Sequence, residues 1–192
     1  MLRRQGSLSL AFLLAGTVSI SASEYEIDTK GAHASINFRI PHLGFSWLIG
    51  RFDRFGGTFS YDEKNPGASR ISVEIETASI NSNHAERDKH LRGADFLDVT
   101  NFPKATFISK SVTPTGDGKA KIEGDLTLRG VTKSVTIEAE VVGGGNDPWG
   151  GYRQGFSGRT KVALSDFGIM RELGPASKDV DLDLHIEGVR QR

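Results

Sequence analysis

The chain has no cysteine among its 192 residues. Disulfide bonds, thiolate metal sites, cysteine nucleophiles and a lipid anchor on an N-terminal cysteine are therefore excluded. It also lacks an excess of charge of either sign, because it has 24 basic and 24 acidic residues. The composition thus gives no electrostatic basis for binding nucleic acid or an anionic membrane. Such a chain depends on an apolar core, and its length suffices for one domain with such a core.

Long hydrophobic runs are also missing, apart from one near the N-terminus. Arg3 and Arg4 precede an apolar stretch at 8–20, and small residues follow it. This order is typical of a secretory signal peptide, and the stretch is too short and too rich in Ser and Gly to span a membrane. We predict a signal peptide at 1–23 that is cleaved, and a soluble exported domain at 24–192. Cleavage removes two basic residues and no acidic residue, so the mature net charge becomes −2.

From Tyr25 onward the sequence has a period of two almost everywhere. Apolar residues alternate with polar ones in about eight segments, which turns rich in Gly, Pro and Asn separate. Strands with one apolar and one polar face predict an antiparallel sheet around a single interior. The segments lie at 36–40, 55–61, 71–75, 107–112, 122–128, 135–141, 156–164 and 180–186.

The spacing of these segments fits an up-and-down barrel or a sandwich. Two features favour the barrel. Gly57, Gly124 and Gly158 fall on the apolar face, where they leave space or allow bends instead of filling a core. The segment at 52–62 is long and is interrupted by Gly56, as in a strongly coiled strand. We predict an all-β, eight-stranded antiparallel β-barrel, wide enough for one small ligand. The alternative is a packed sandwich in which these glycines only relieve crowding.

One short helical insert is predicted at about 83–99. Asn83 can cap its first turn, Glu86 can reach back to the capping residue, and Gly93 provides a stop. We interpret the insert as a plug or lid over an edge or mouth of the β-structure. The apolar residues that would face the β-structure are Phe96, Leu97 and Phe102.

Four residues of this insert, His84, Glu86, Asp88 and His90, could suggest a metal site. On a helix, His84 and Asp88 share one stripe, and the other two residues lie about 200° away. One ion could not bind all four, so we interpret them as charge pairs on a solvated helix. We predict no metal site and no cofactor.

Enzyme motifs in the chain are isolated or incomplete. The Asp-Phe-Gly at 166–168 has no other kinase element, and the glycines at 143–145 lack the rest of a phosphate loop. No serine lies in a recognisable nucleophile motif. We therefore predict that the protein is not an enzyme. An enzyme acting on a bound lipid or quinone would need a titratable residue inside the barrel, and Tyr61 is the one plausible candidate.

Large apolar residues occur in the glycine-punctuated segment at 42–50, which we interpret as a connection between two strands. Phe45 and Trp47 are costly to leave in water unless they cover something. Two interpretations stay open at this point. The connection folds onto its own barrel end, or it forms a hydrophobic mouth that contacts ligand or a membrane surface.

Several segments together closely resemble the YceI-like family. They are YEID at 25–28, FRIPHLG at 38–44, the stretch at 83–98, GDLTLRGVT at 124–132 and LGPAS at 173–177. The resemblance covers 25–189 and implies a periplasmic protein with a lipocalin-like β-barrel, which holds a polyisoprenoid or similar amphiphile and has no established catalytic residues. The family often has Asn-Gly where this chain has Arg129-Gly130. A type I′ turn there would strain Arg129 mildly, or the turn differs.

We therefore expect a periplasmic carrier that sequesters a long apolar chain, such as a polyisoprenoid or an isoprenoid quinone, inside the barrel. The expected ligand-binding residues are Ile36, Phe38, Ile40, Phe45, Trp47, Phe59, Tyr61, Phe107, Leu126, Phe156 and Leu184. Polar residues expected to hold a headgroup at the mouth are His42, Asn83, Arg87 and His90.

Two partners other than the lipid are also expected, a transient contact with the inner membrane and a second copy of the chain in a homodimer. The alternative function is a stress-related periplasmic interaction protein with a filled barrel and no small ligand. Trp149 and Tyr152, in an exposed loop, would then bind partner proteins.

Overall fold

The structure is a computed structural model that describes residues 22–171 and 173–192. The predicted signal peptide lies outside these residues, except for its last two positions. The strands are β1 (Ser23–Ile27), β2 (Ser35–His42), β3 (Ser46–Phe52), β4 (Phe55–Tyr61), β5 (Arg70–Glu76), β6 (Ile80–Asn81), β7 (Lys104–Gly116), β8 (Lys119–Leu128), β9 (Val131–Asn146), β10 (Tyr152–Ala163) and β11 (Asp179–Arg190), and the helix α1 is Ala85–Arg92.

Eight of these strands form a closed ring. Their order is β1-β4-β5-β7-β8-β9-β10-β11, and β11 pairs back onto β1. Every neighbouring pair in the ring is antiparallel. A ring of this kind is a barrel and not a sandwich, so the predicted eight-stranded antiparallel barrel with one short helix is confirmed.

Strands β2, β3 and β6 continue the wall of the ring at one end. The C-terminal part of β11 pairs with β1, and residues 181–185 of the same strand pair with β2. In the same way β3 pairs with β2 while β4 pairs with β1, and β6 pairs with β3 while β5 pairs with β4. The short strands are therefore the two halves of long strands that break at 28–34, 53–54 and 77–79.

The up-and-down order sorts the connections into two groups. Those at 43–45, 82–103, 129–130 and 164–178 lie at the end that carries α1, which we call the helix end. Those at 62–69, 117–118 and 147–151 lie at the opposite end, the far end. No helix among the described residues has the length and apolar character needed to cross a bilayer.

The segment at 42–50 is mostly strand β3, so its prediction as a connection was wrong. Leu48 is half-buried and packs on the core, whereas Trp47 and Ile49 are exposed. Because both faces of β3 are apolar, the alternation that reveals the other strands is absent here. The strand predicted at 52–62 is likewise divided, since β3 ends at Phe52 and β4 begins after a two-residue break.

Helix α1 begins one residue later than predicted. His84 is the capping residue, and its Nδ1 accepts a hydrogen bond from the backbone N–H of Arg87 at 3.2 Å. Asn83 has φ +61°, and its N–H donates to the side-chain oxygen of Asn81 at 2.9 Å. A capping residue needs extended backbone, which His84 has and Asn83 does not. The predicted stop is confirmed, because α1 ends at Arg92 and the N–H of Gly93 donates to His90.

The predicted plug covers the helix end. Phe96 and Leu97, in the turns after α1, are buried in one cluster with Phe38, Ile80 and Ile169. Two residues from the barrel wall and one from the 164–178 connection thus meet the helical insert. The insert buries these two apolar side chains although α1 itself is polar on most of its surface.

Gly124 shows how the glycines on the inner face are used. A Cβ at this position would lie 2.5 Å from the ring of Phe107, which is buried on the neighbouring strand. The space that the prediction left free at Gly124 is therefore occupied by an aromatic ring. The glycine allows strand β8 to accept a large side chain from β7 without widening the barrel.

Candidate ligand-binding site

The inner wall of the barrel is apolar. On β11 the inward residues are Val180, Leu182, Leu184 and Ile186, and they pack against the buried clusters of the neighbouring strands. All four residues nevertheless keep part of their accessible surface. The wall therefore offers apolar side chains along the whole length of a strand.

Nine of the predicted ligand-binding residues lie on the inner face of the barrel. Five of them are buried, namely Ile36, Phe38, Phe59, Phe107 and Leu126. The other four are half-buried, namely Ile40, Tyr61, Phe156 and Leu184. The structure thus brings together residues that are separated by up to about 150 positions in the sequence.

Phe45 and Trp47 lie apart from this set. Phe45 is 86% exposed in the turn between β2 and β3, and Trp47 is 51% exposed on the outer face of β3. Their contact with ligand stays a prediction, but they do not line the interior.

Aromatic side chains gather inside the far end. The rings of Tyr25 and Phe59 are stacked with centroids 4.9 Å apart, and Phe156 meets the edges of Phe59 at 5.4 Å and Tyr61 at 5.1 Å. Burial raises the pKa of Tyr25 and that of Tyr61. Both phenols are therefore neutral at ordinary pH, so they can donate a hydrogen bond but are poor bases. The sequence pattern placed Tyr25 at the start of the strands, but we did not predict it as a site residue.

The four predicted mouth residues all lie at the helix end. His42, Asn83 and His90 are exposed there. Arg87 is half-buried, and its guanidinium donates to the side chain and the carbonyl of Ser82 at 2.8 and 2.6 Å. Binding of a headgroup by these residues stays a prediction.

Three of the four residues considered for a metal site make separate contacts. Asp88 is buried and accepts hydrogen bonds from the backbone and the hydroxyl of Ser82 at 2.7 and 2.5 Å. His84 caps the helix, and His90 lies edge-on to the ring of Phe96 at 5.0 Å. These three side chains thus contact three different partners.

Another set of possible metal ligands lies on the outer wall near the far end. One oxygen or nitrogen each of Asp28, His33 and Glu187 lie within 4.8 Å of one another. Arg153 already lies between the two carboxylates, with 2.5 Å to each, and also contacts Asp147 at 3.0 Å. A guanidinium in this position supplies the positive charge that a metal ion would supply.

This ion-pair network shifts the pKa of Asp28 and that of Arg153. Hydrogen bonds from Arg153, and secondarily from His33, hold the pKa of Asp28 well below its usual range. The same contact with Asp28, followed by that with Glu187, raises the pKa of Arg153. The network joins residues from three separate segments of the chain. The sequence did not reveal it, because its members are far apart along the chain.

The turn between β8 and β9 has the type I′ backbone. Arg129 has φ +51° and Gly130 has φ +73°. The guanidinium of Arg129 donates to the carbonyl of Gly168 and, at 2.7 Å, to that of Ala94. Arg129 thus holds two connections of the helix end together, and these contacts offset the strain of a left-handed backbone.

The two residues predicted to bind partner proteins, Trp149 and Tyr152, lie in different surroundings. Tyr152, expected in an exposed loop, belongs to β10 and packs on the aromatic cluster of the far end. Its ring lies 4.4 Å below the guanidinium of Arg190. Trp149 is exposed in the loop as expected. The two proposed anchors therefore do not lie together in one exposed loop, and their role in partner binding stays a prediction.

A groove of about 650 Å³ lies on the outer surface across β4 and β5. Its lining is mixed, with the charged residues Asp53, Arg54, Glu74 and Glu76 beside Phe55 and two glycines. These charged groups make the groove a poor match for an apolar chain, whereas the inner wall of the barrel is apolar.

Comparison with known proteins agrees with this architecture. The model of the YceI-like domain family matches residues 25–188. Protein YceI of Shigella flexneri is 55% identical over 185 residues, which cover 96% of each chain. The crystal structure of Campylobacter jejuni YceI covers 80% of this chain and 91% of its own, with 29% identity and a TM-score of 0.72.

A more distant neighbour shares the fold. It is a domain from Saccharophagus degradans described as polyisoprenoid binding and as implicated in plant cell wall breakdown. It is 14% identical, covers 88% of this chain and 99% of its own, and has a TM-score of 0.64. With a closed barrel, an apolar inner wall and a family match over almost the whole described domain, the chain belongs to the YceI-like family.

Proposed function

We propose that this protein binds a long apolar chain, such as a polyisoprenoid or an isoprenoid quinone, inside its barrel and carries it in the periplasm. The observation that carries the proposal is the inner wall, where Leu182, Leu184 and Ile186 point inward but keep accessible surface. We take this residual surface as a sign that space remains beside these side chains. Space lined by apolar groups favours an apolar ligand.

The dimensions of the barrel suit such a ligand. Strand β11 has 12 residues. At about 3.3 Å per residue and a tilt of about 40°, it spans roughly 30 Å along the barrel axis. This length is comparable to the hydrocarbon thickness of a whole bilayer. A chain longer than a single leaflet could therefore lie lengthwise inside.

The energetics require few polar contacts. Each CH₂ group withdrawn from water contributes about 0.8 kcal/mol, so a dozen carbons give roughly 10 kcal/mol before losses. Ordering of the chain and loss of its free motion remove much of this, which leaves reversible binding. The polyisoprenoid-binding description of the Saccharophagus degradans domain supports the proposal, although that domain is similar to this chain in fold alone.

Extraction tests the proposal directly. The protein is purified after export from a bacterial host, its N-terminus is checked by mass spectrometry, and the bound material is extracted into organic solvent and identified by mass. We expect an isoprenoid or another long-chain amphiphile in near-stoichiometric amount. A mature N-terminus at residue 24 would also support the predicted cleavage.

A matched pair of substitutions locates the ligand. Leu184→Trp fills the interior, whereas His185→Trp places the same side chain on the outer face of the same strand. We expect the first variant to lose most of its bound lipid and the second to keep it, with circular dichroism showing that both fold.

Thermal melts of delipidated protein complete the test. A ligand at 100 times its Kd stabilises the folded state by about 2.7 kcal/mol, which raises Tm by roughly 5–10 °C for a protein of this size. Extracts without lipid, together with melts that a polyprenol and a quinone leave unchanged, would overturn the proposal. That outcome would favour the interaction protein with a filled barrel.

A further inference from the structure

We infer that the protein docks onto a lipid bilayer through the turn between β2 and β3 and the outer face of β3. Leu43, Phe45, Trp47 and Ile49 are exposed there by 56, 86, 51 and 65%. We call these four residues the hairpin tip. A side chain added at Gly44, between the first two, would meet no atom within 4 Å. The tip thus projects from the helix end into solvent.

The order of side chains along the hairpin matches the layers of a membrane surface. The guanidinium of Arg39 lies 4.7 Å over the ring of Trp47. Tryptophan favours the interface, and a long basic side chain can keep its charge at the headgroups while its stem covers apolar surface. Phe45 lies two residues beyond Trp47, about 7 Å at the rise of a strand. Interfacial segments bury their apolar face to a depth of about 5–10 Å.

The charged residues of β2 and β3 indicate which kind of bilayer surface the tip binds. Arg39 is paired with Asp181 at 3.2 Å, and Arg51 is paired with Asp53 at 2.6 Å. These are the arginines of β2 and β3, and both are neutralised by carboxylates. Docking is therefore driven by the apolar side chains, and a zwitterionic surface is sufficient.

A second copy of the chain fits this surface less well. A stable protein interface uses about 20–30 residues on each side. The hairpin tip supplies four, and Met170, exposed by 75% at the same end of the barrel, adds a fifth. A projecting tip with so few apolar residues is better matched to a deformable lipid surface than to a rigid partner.

The position of the tip connects it with the proposed ligand. The hydroxyl of Ser177, in the 164–178 connection, donates to the carbonyl of Pro41 on β2 at 2.6 Å. The tip is thus tied to the segments that close the helix end. A docked tip would hold this end of the barrel near the membrane, from which an apolar chain is loaded. This purpose rests on the proposed function, whereas docking itself is tested separately.

Vesicle binding tests the inference. The chain has two tryptophans, so Trp149→Phe leaves Trp47 as the single reporter. The exported protein is mixed with phosphatidylcholine vesicles, and with vesicles that also contain phosphatidylglycerol, and its flotation is measured. We expect binding to both, a blue shift of Trp47 emission, and quenching by lipids brominated near the headgroup end of their chains.

Tip variants identify the contact. We expect Leu43→Ser combined with Phe45→Ser to lower partitioning at least about tenfold, because each buried apolar side chain contributes roughly that factor. The control is Val142→Ser, which removes an equally exposed apolar side chain near the far end. It should leave partitioning unchanged.

Three results would overturn the inference. In the first, the wild-type protein binds neither kind of vesicle. In the second, the tip and control variants lose vesicle binding equally. In the third, the wild-type protein is a dimer in sedimentation that binds no vesicles, and only the tip variant is a monomer. Vesicle binding by a protein whose extract contains no lipid would keep the docking inference and overturn the proposed carrier function instead.

Discussion

Replacing Arg129 with Asn separates two opposing effects at the helix end. Asn tolerates the left-handed backbone that Arg129 adopts at φ +51°, so the substitution relieves about 1 kcal/mol of strain. It also removes the hydrogen bonds from the guanidinium to Gly168 and Ala94. Hydrogen bonds from a charged group contribute about 1.5 kcal/mol each at the lower end of their range.

The balance predicts a loss of stability. Two bonds contribute about 3 kcal/mol against about 1 kcal/mol of strain, so Arg129→Asn should lower the free energy of unfolding by about 2 kcal/mol. For a domain of this size, Tm should fall by roughly 4–8 °C. Arg129→Lys keeps the backbone strain and can form at most one of the two bonds, so it should cost about 1.5–3 kcal/mol.

Denaturant unfolding and calorimetry measure these changes, and hydrogen exchange locates them. Exchange should increase in the connections around Ala94 and Gly168. The control is Asp117→Asn in the turn between β7 and β8, where φ is +52°, and it should be neutral or slightly stabilising. An Arg129→Asn protein as stable as the wild type would refute the reasoning, because the guanidinium contacts would then contribute nothing beyond the strain they offset.

Three further outcomes follow from the structure. Asp28→Asn should cost about 2 kcal/mol at neutral pH through its lost bond to Arg153. Because the pKa of Asp28 is lowered in the folded state, wild-type stabilisation is complete above the ordinary carboxyl pKa of about 4. It is lost as pH falls towards the folded value, so urea titrations should converge for the two proteins in acid, and a constant difference would contradict the network. Gly124→Ala should cost about 1–3 kcal/mol in urea through overlap with Phe107, and Phe107→Leu should recover part of it in the double variant, whereas simple additivity would argue against the contact. Phe96→Ala should cost about 3–4 kcal/mol in the same assay, since it empties a buried site under the plug, and a cost below 1 kcal/mol would show that the insert is not part of the core.

The sequence predicted the strands of the barrel because their signal is local. Alternation within single strands, such as that of Val180 to Ile186, needs only the two faces of a strand to differ. The same alternation placed nine of the predicted ligand-binding residues on the inner face. It failed at β3, where Trp47 and Ile49 on the outer face are as apolar as Leu48 on the inner face. The exposed apolar residues that break the alternation in this strand, Trp47 and Ile49, belong to the hairpin tip.

Contacts between segments that are distant in the sequence could not be predicted from local patterns. Arg153 meets Asp28 across 125 positions, and Arg129 meets Gly168 across 39. Nothing in the residues near either arginine specifies these partners. The chemistry of each side chain was visible in the sequence, but the choice of partner required the closed ring that brings the turns together.

By itself the sequence determined most of the strands, the short helix and the position of the turn at Arg129-Gly130, since backbone preference and the alternation of polarity act within a few residues. Only the tertiary structure decided which aromatic rings stack at the far end, which cations are already neutralised, and which apolar side chains are left outside the barrel. These contacts depend on how the barrel wall closes, because packing and ion pairing require short distances between segments. The order of residues along the chain does not specify those distances.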